Sequence, residues 1–272
     1  MNYRQIMYRP FLSKIKVFFT AIVLFIFFAN AHSQQVLIHS HNDYHQAVPF
    51  YRAFVSGVYS IEADIYCTDN ENELLVAHDR IELPTAPTLD DLYLNPIIGL
   101  YRRNQGKAWK NSDDYFQLLV DLKTPTTPTL DILVSKLKTY PEVFDPAVNR
   151  HAVRVVITGN MPAPADFHKY PAFIYFDGRL NLTYTQEELK RVPLFSEPFG
   201  SYSKWKGQGE MIEDEKKVVE SLIQKAHSMG KPIRFWGTPD NSKAWTVLHA
   251  MGVDFVNTDK PEECANYFST AR

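Results

Sequence analysis

The sequence predicts an α/β chain folded as a (β/α)₈ barrel, and three observations carry that prediction. Eight short apolar runs of strand character recur along residues 32–272. Helical stretches with polar faces lie between most of them, the alternation that builds a parallel sheet. No Gly-x-Gly-x-x-Gly string follows the first run, which weighs against an open dinucleotide-binding sheet and for the closed barrel.

The strands are expected at Val36–Ser40, Tyr59–Tyr66, Gln117–Lys123, Arg154–Gly159, Ala172–Asp177, Val192–Ser196, Pro232–Gly237 and Asp254–Thr258. Helices are expected at Gln46–Ser56, Leu130–Thr139, Met211–Ser228, Ser242–Ala250 and Pro261–Thr270. Gly230 and Pro261 stand where helix stops and starts prefer them. A further apolar run, Glu73–Ala77, leads into His78-Asp79 and could swing back over the barrel mouth. No repeat, linker or low-complexity tract divides the chain, so residues 32–272 read as one domain.

Residues 1–31 read as a secretory leader. Arg4, Arg9, Lys14 and Lys16 come first with no acid, then thirteen mostly apolar residues, Val17–Ala29, then Ala29-Asn30-Ala31. Thirteen residues at about 1.5 Å each span about 20 Å, short of the roughly 30 Å hydrocarbon slab, so a stable membrane anchor is not expected. Removing those four cations from 29 Lys+Arg leaves 25 against 31 Asp+Glu, a net charge near −6. Such a surface does not suit nucleic acid or anionic lipid as a charge-driven partner. The expected location is secreted or periplasmic. Cys67 and Cys264 could pair in an oxidising compartment, or be unrelated thiols nearly two hundred residues apart. The oligomeric state leaves no trace in the sequence.

The ionisable residues gather at strand ends. His39 and His41 close the first strand, Glu62 and Asp64 lie in the second, and Asp121 and Lys123 end the third. A spacing of two puts each pair on one face, while Ile38, Ile61, Ala63, Ile65, Val120 and Leu122 face the helices. Charges alternating with aliphatics on buried strands need partners or a metal. Three carboxylates suit a hard cation, Mg²⁺ or Ca²⁺. Two histidines suit a general base and a general acid, and a lysine beside the metal would neutralise developing negative charge. Displacement at a phosphodiester fits these parts best, with a small-molecule or lipid head-group diester as substrate. Among weaker candidates, Asp177-Gly178-Arg179 ends the fifth strand, Arg234 and Trp236 share one face of the seventh, and Asn257 and Asp259 close the eighth. Arg234 would grip a phosphate or form an ion pair inside the barrel. Trp205 and Trp236 would wall an apolar or sugar moiety. Lys204–Glu210 reads as a mobile loop over the rim.

Four strings in order carry a family resemblance: Ser40-His41-Asn42-Asp43-Tyr44, Ser60-Ile61-Glu62-Ala63-Asp64, Leu75-Val76-Ala77-His78-Asp79 and Val120-Asp121-Leu122-Lys123-Thr124. With Asp254–Pro261 they make the chain resemble the phosphatidylinositol-specific phospholipase C / glycerophosphodiester phosphodiesterase superfamily. Thr88–Leu94 and Arg234–Pro239 are similar to its altered-inheritance-of-mitochondria branch. The resemblance implies His41 as base or nucleophile, His78 as acid, and Glu62, Asp64 and Asp121 as ligands of a divalent metal. It also implies Asn42 as a further ligand and Lys123 as a contact to substrate phosphate. The His-Arg-Gly and Glu-Asn-Thr strings of glycerophosphodiesterases are missing, so the substrate stays open among glycerophosphodiesters, phosphoinositides and similar phospholipid-derived diesters. His39, the extra histidine, would be a substrate contact or a core residue.

Two rival readings remain at this stage. His39-Ser40-His41 also suits a zinc amidohydrolase, but that chemistry needs imidazoles at later strand ends. His227 and His249 fall in expected helices and His151 precedes a strand. A non-catalytic ligand-binding barrel would have lost an acid, a base or a metal carboxylate, and none is lost.

Overall fold

The computed structural model describes residues 36–68 and 73–270. The expected leader, residues 1–31, lies outside the described residues. Eight parallel strands form one sheet: β1 (Leu37–Ser40), β2 (Ser60–Cys67), β4 (Gln117–Leu122), β5 (Arg154–Gly159), β6 (Ile174–Phe176), β7 (Phe195–Pro198), β8 (Ile233–Trp236) and β9 (Phe255–Thr258). Their spatial order is β6-β5-β4-β2-β1-β9-β8-β7. A parallel bridge between Gly178 and Phe195 joins the two ends of that row, with Gly178 N–H donating to Leu194 O at 2.9 Å and Ser196 N–H to Gly178 O at 3.1 Å. The sheet therefore closes into the expected (β/α)₈ barrel.

The run Glu73–Ala77 supplies β3 (Leu74–Val76), which pairs antiparallel with the end of β2, Ile65 against Val76 and Cys67 against Leu74. This hairpin folds back at the C-terminal rim and carries His78 to the mouth.

Alternation decides which side chains enter the barrel. Ile61, Ala63 and Ile65 of β2 and Leu118, Val120 and Leu122 of β4 are fully buried in the outer core, against the helices. Leu119, Val156, Leu194 and Phe255 fill the barrel interior with Tyr59. Above this apolar layer the inward positions turn polar. In register Asp64 stands beside Asp121, and Asp121 beside Thr158. His39 neighbours Ser60 on one side and Asn257 on the other.

The helices Glu213–Ser228, Ser242–Ala250 and Pro261–Thr270 stand where expected. The helix expected over Gln46–Ser56 shrinks to Tyr51–Val55. Phe50 adopts φ +63°, which no helix tolerates, and its N–H donates to Asp43 Oδ2 at 2.6 Å. A turn of π-helix, Asp90–Leu94, continues into a helix over Asn95–Arg103 that the reading of the sequence did not contain. Cys67 is half-buried and Cys264 buried. No helix among the described residues is long and apolar enough to cross a membrane.

Candidate active site

One cavity of about 730 Å³ opens at the C-terminal rim. On one side it is lined by His41, Asn42, Glu62, His78, Asp121 and Lys123, and Arg234 and Trp236 also face it. Of the residues singled out from sequence, those eight and Arg179 share the cavity. Asp64 and His39 are fully buried and do not line it.

Glu62, Asp64 and Asp121 form an acid cluster, each offering an oxygen within 4.8 Å of the others. Two carboxylates at that spacing repel by roughly 3–4 kcal/mol at an effective dielectric near 20, so the cluster needs positive charge. Burial, then the Asp64 charge, push Asp121's pKa up against the pull of Lys123. Lys123 Nζ bridges Asp64 Oδ2 at 2.8 Å and Asp121 Oδ2 at 3.0 Å. Burial disfavours its charge, but the two carboxylates prevail and hold the lysine protonated. Asp64 Oδ1 is buried without a hydrogen-bond partner, which is costly unless a ligand meets it. An all-oxygen donor set with an orphaned carboxylate oxygen fits a hard divalent cation. Gly159, at φ +71°, makes room: a Cβ there would collide with Asp121 Oδ1 and stand 2.7 Å from Leu122 O.

Glu62 is held from below. Its Oε2 accepts from Arg234 at 2.8 Å and lies 2.8 Å from His39 Nε2. Burial raises its pKa, but Arg234 and His39 outweigh that and keep the carboxylate ionised. Burial, then the Arg234 charge, lower the pKa of His39 to about 4, so the imidazole is neutral. Arg234 is itself buried and bonds Ser196 Oγ and Asn257 Oδ1, at 3.0 and 3.2 Å. It is chiefly the structural ion pair of the barrel interior, with an edge on the cavity floor.

Both cavity histidines carry a carboxylate at Nδ1. His41 Nδ1 lies 2.7 Å from Asp259 Oδ1. Burial alone would lower the pKa of His41, but Asp259 and then the Glu62 charge raise it above 6.5. His78 Nδ1 lies 3.1 Å from Asp64 Oδ2 and 3.2 Å from the Tyr44 hydroxyl. That hydroxyl is shared between Asp64 Oδ2 at 2.8 Å and Asn42 Oδ1 at 2.9 Å. Burial, then Asp64, keep the Tyr44 phenol protonated. With Nδ1 engaged on each ring, Nε2 is the atom left for proton transfer. Asn42 takes a left-handed conformation, φ 46°, a position asparagine tolerates.

The opposite wall comes from β5 to β8 and their loops: Thr158, Arg179, Asn181, Glu197, Tyr202 and Trp236. Arg179 is fixed by Asp177 at 2.8 Å and Thr158 at 2.7 Å. Glu197 accepts from Leu180 N–H at 2.7 Å and Tyr202 at 2.6 Å. Trp236 is 43% exposed at the rim. Trp205 does not join it, because the ring is buried and its indole N–H donates to Gln208 O at 2.8 Å.

Tyr44 and Glu197 were not assigned to the site from sequence, and Asp259 stood only among its weaker candidates. Asp259 follows Asn257 by two at the last strand's end, the same signal that marked the other pairs. Tyr44 belongs to the His41–Tyr44 string but reaches Asp64 only through the fold. Glu197 shares strand parity with the outer-core Phe195, so alternation points it away from the cavity.

Known proteins place this architecture. The profile of the AIM6-like phosphodiesterase domain matches residues 29–177, and that of the glycerophosphoryl diester phosphodiesterase family matches residues 232–262. Altered inheritance of mitochondria protein 6 of Kluyveromyces lactis is 25% identical over 302 residues, covering 85% of this chain and 71% of that one. Its Lachancea thermotolerans counterpart is 26% identical over 274 residues, covering 83% and 64%. This chain thus spans about two thirds of the length of these relatives. A crystal structure described as a glycerophosphodiester phosphodiesterase from Parabacteroides distasonis superposes with a TM-score of 0.55 at 20% identity, covering 88% of this chain and 99% of that one. One from Agrobacterium tumefaciens gives 0.51 at 13%, covering 87% and 99%. At such identities these two structures speak to the barrel alone. Barrel and matched profile together define a phosphoric diester hydrolase. Within that class, the chain belongs to the AIM6-like phosphodiesterase domain family.

Proposed function

We propose that the chain hydrolyses a phospholipid-derived phosphodiester, a glycerophosphodiester, phosphoinositide or similar head-group diester, by general acid–base catalysis at the Glu62–Asp64–Asp121 cluster. The observation that carries this reading is the pair of imidazole–carboxylate couples, His41–Asp259 and His78–Asp64, flanking that cluster in one cavity.

A divalent cation, Mg²⁺ or Ca²⁺, held by Glu62, Asp64 and Asp121 would supply Lewis-acid neutralisation of a non-bridging phosphate oxygen. Asn42 stands at the cavity wall as a further oxygen donor. Lys123 adds a second positive charge beside the same oxygen. His41 takes the proton of the attacking hydroxyl, from water or from the substrate, at Nε2, and Asp259 stabilises the imidazolium that forms. His78, oriented by Asp64, delivers a proton to the departing alcohol. A cavity of about 730 Å³ suits a head group of modest size.

The test is hydrolysis of bis-para-nitrophenyl phosphate and a panel of natural diesters with Ca²⁺, Mg²⁺ or EDTA. His41→Ala and His78→Ala should each lose about 10²–10⁴-fold in turnover while the fold persists. Activity that is equal with and without chelator overturns the metal role. Export belongs to the same proposal: N-terminal sequencing of material from outside the cytoplasm should begin near His32.

A further inference from the structure

His39 has no part in the chemistry above, yet it is wholly buried and fully engaged. Ser60 Oγ accepts from Gln117 Nε2 at 2.9 Å and lies 2.8 Å from His39 Nδ1. His39 Nε2 lies between Glu62 Oε2, 2.8 Å away, and the Arg234 guanidinium, 2.5 Å away, so the buried neutral ring packs against both members of that ion pair. Arg234 donates to that same oxygen. A like division holds for the other two carboxylates. Asp64 Oδ2 meets Tyr44, His78 and Lys123, and Asp121 Oδ2 meets Lys123. Each member of the cluster therefore has one oxygen committed to the protein. Asp64 Oδ1 is the other kind, buried and without a partner.

We infer that this seat selects a small six-coordinate cation of the Mg²⁺ class over Ca²⁺, and that His39 is the positioning residue that enforces the choice at Glu62. The inference rests on the reading that the cluster holds a divalent cation. Ca²⁺ accepts six to eight oxygens and commonly takes carboxylates two-toothed, whereas Mg²⁺ requires six in a tight octahedron and keeps several waters. Three carboxylates limited to one oxygen each supply half of an octahedron, leaving the rest to water and substrate. Serving Ca²⁺ two-toothed would require Glu62 to release Arg234 and His39, stranding a buried guanidinium. Among the described residues, the extra histidine of the first strand thus has a structural reason that the catalytic pair does not supply.

Isothermal titration of the purified, metal-stripped chain with MgCl₂ and with CaCl₂ tests this without recourse to turnover. Tighter binding of Mg²⁺ is expected. Ca²⁺ binding as tightly or more tightly overturns the selectivity while leaving a metal site standing, and no heat with either cation overturns the metal reading and the inference together. His39→Phe should weaken Mg²⁺ by about 10–100-fold and narrow the Mg²⁺/Ca²⁺ ratio. His39→Gln, which keeps a hydrogen-bonding side chain beside Glu62 and Arg234, should retain more of the affinity. An unchanged affinity in His39→Phe, or equal losses in both variants, overturns the role of His39. Circular dichroism of the metal-free variants checks folding, and should His39→Phe not fold, the wild-type comparison decides the selectivity.

Discussion

His41 and Asp259 meet although 218 positions separate them in sequence. The carboxylate favours the protonated ring and so lifts the pKa of His41. A base must be unprotonated to act, so activity fails on the acid side of that pKa. Asp259→Asn removes the charge and lowers the pKa, which should move the acid limb of kcat/KM to lower pH. It should also cost less turnover than His41→Ala, because the base is still present. A pH–rate profile from pH 5 to 9 measures both effects, and an acid limb that stays in place would count against the couple. As candidates, His41, Glu62, Asp64, Asp121 and Lys123 were legible in the sequence, since spacing by two at strand ends marks an inward face, and His78 was legible from the apolar run that leads into it. Tyr44 was not assigned and Asp259 was given no role, because their partners lie on other strands.

Strands β1, β2 and β8 meet inside the barrel through His39, Glu62 and Arg234. This polar layer gives the fold a dependence on acid. The unfolded chain protonates His39 below about pH 6.5, the folded chain only below about pH 4. Between those limits the unfolded state binds more protons, so the stability that the neutral ring contributes is complete above pH 6.5 and declines as pH falls toward 4. The shift corresponds to about 3 kcal/mol. Thermal unfolding should show this decline, and His39→Gln should flatten it in that window. Alternation let these strands be read with nearly correct ends. It failed for Gln46–Ser56, where the bond from Phe50 N–H to Asp43, itself bonded by Ser40 and Tyr93, overrides local helical preference.

The barrel depends on a narrow closure at Gly178–Phe195. A Cβ at Gly178 would lie 2.6 Å from the Phe195 ring and 2.7 Å from Val192. Gly178→Ala should therefore destabilise the protein by about 1–3 kcal/mol through overpacking at the seam, read by urea unfolding. An unchanged midpoint would show that the seam yields without cost. Closure also joins two unlike walls. The wall from β1 to β4 carries the acid cluster and both histidines, while the wall from β5 to β8 carries the Arg179 and Glu197 pairs and Trp236.

The sequence alone determined the strand–helix alternation, the inward face of each early strand and the ordered strings of the family, because each is a local property of spacing and residue type. Tertiary structure decided which oxygen of each carboxylate is committed, which carboxylate serves which histidine, and that His39 supports Glu62 without lining the cavity. Those are contacts between strands far apart in the chain, and only barrel closure brings their side chains within hydrogen-bonding distance.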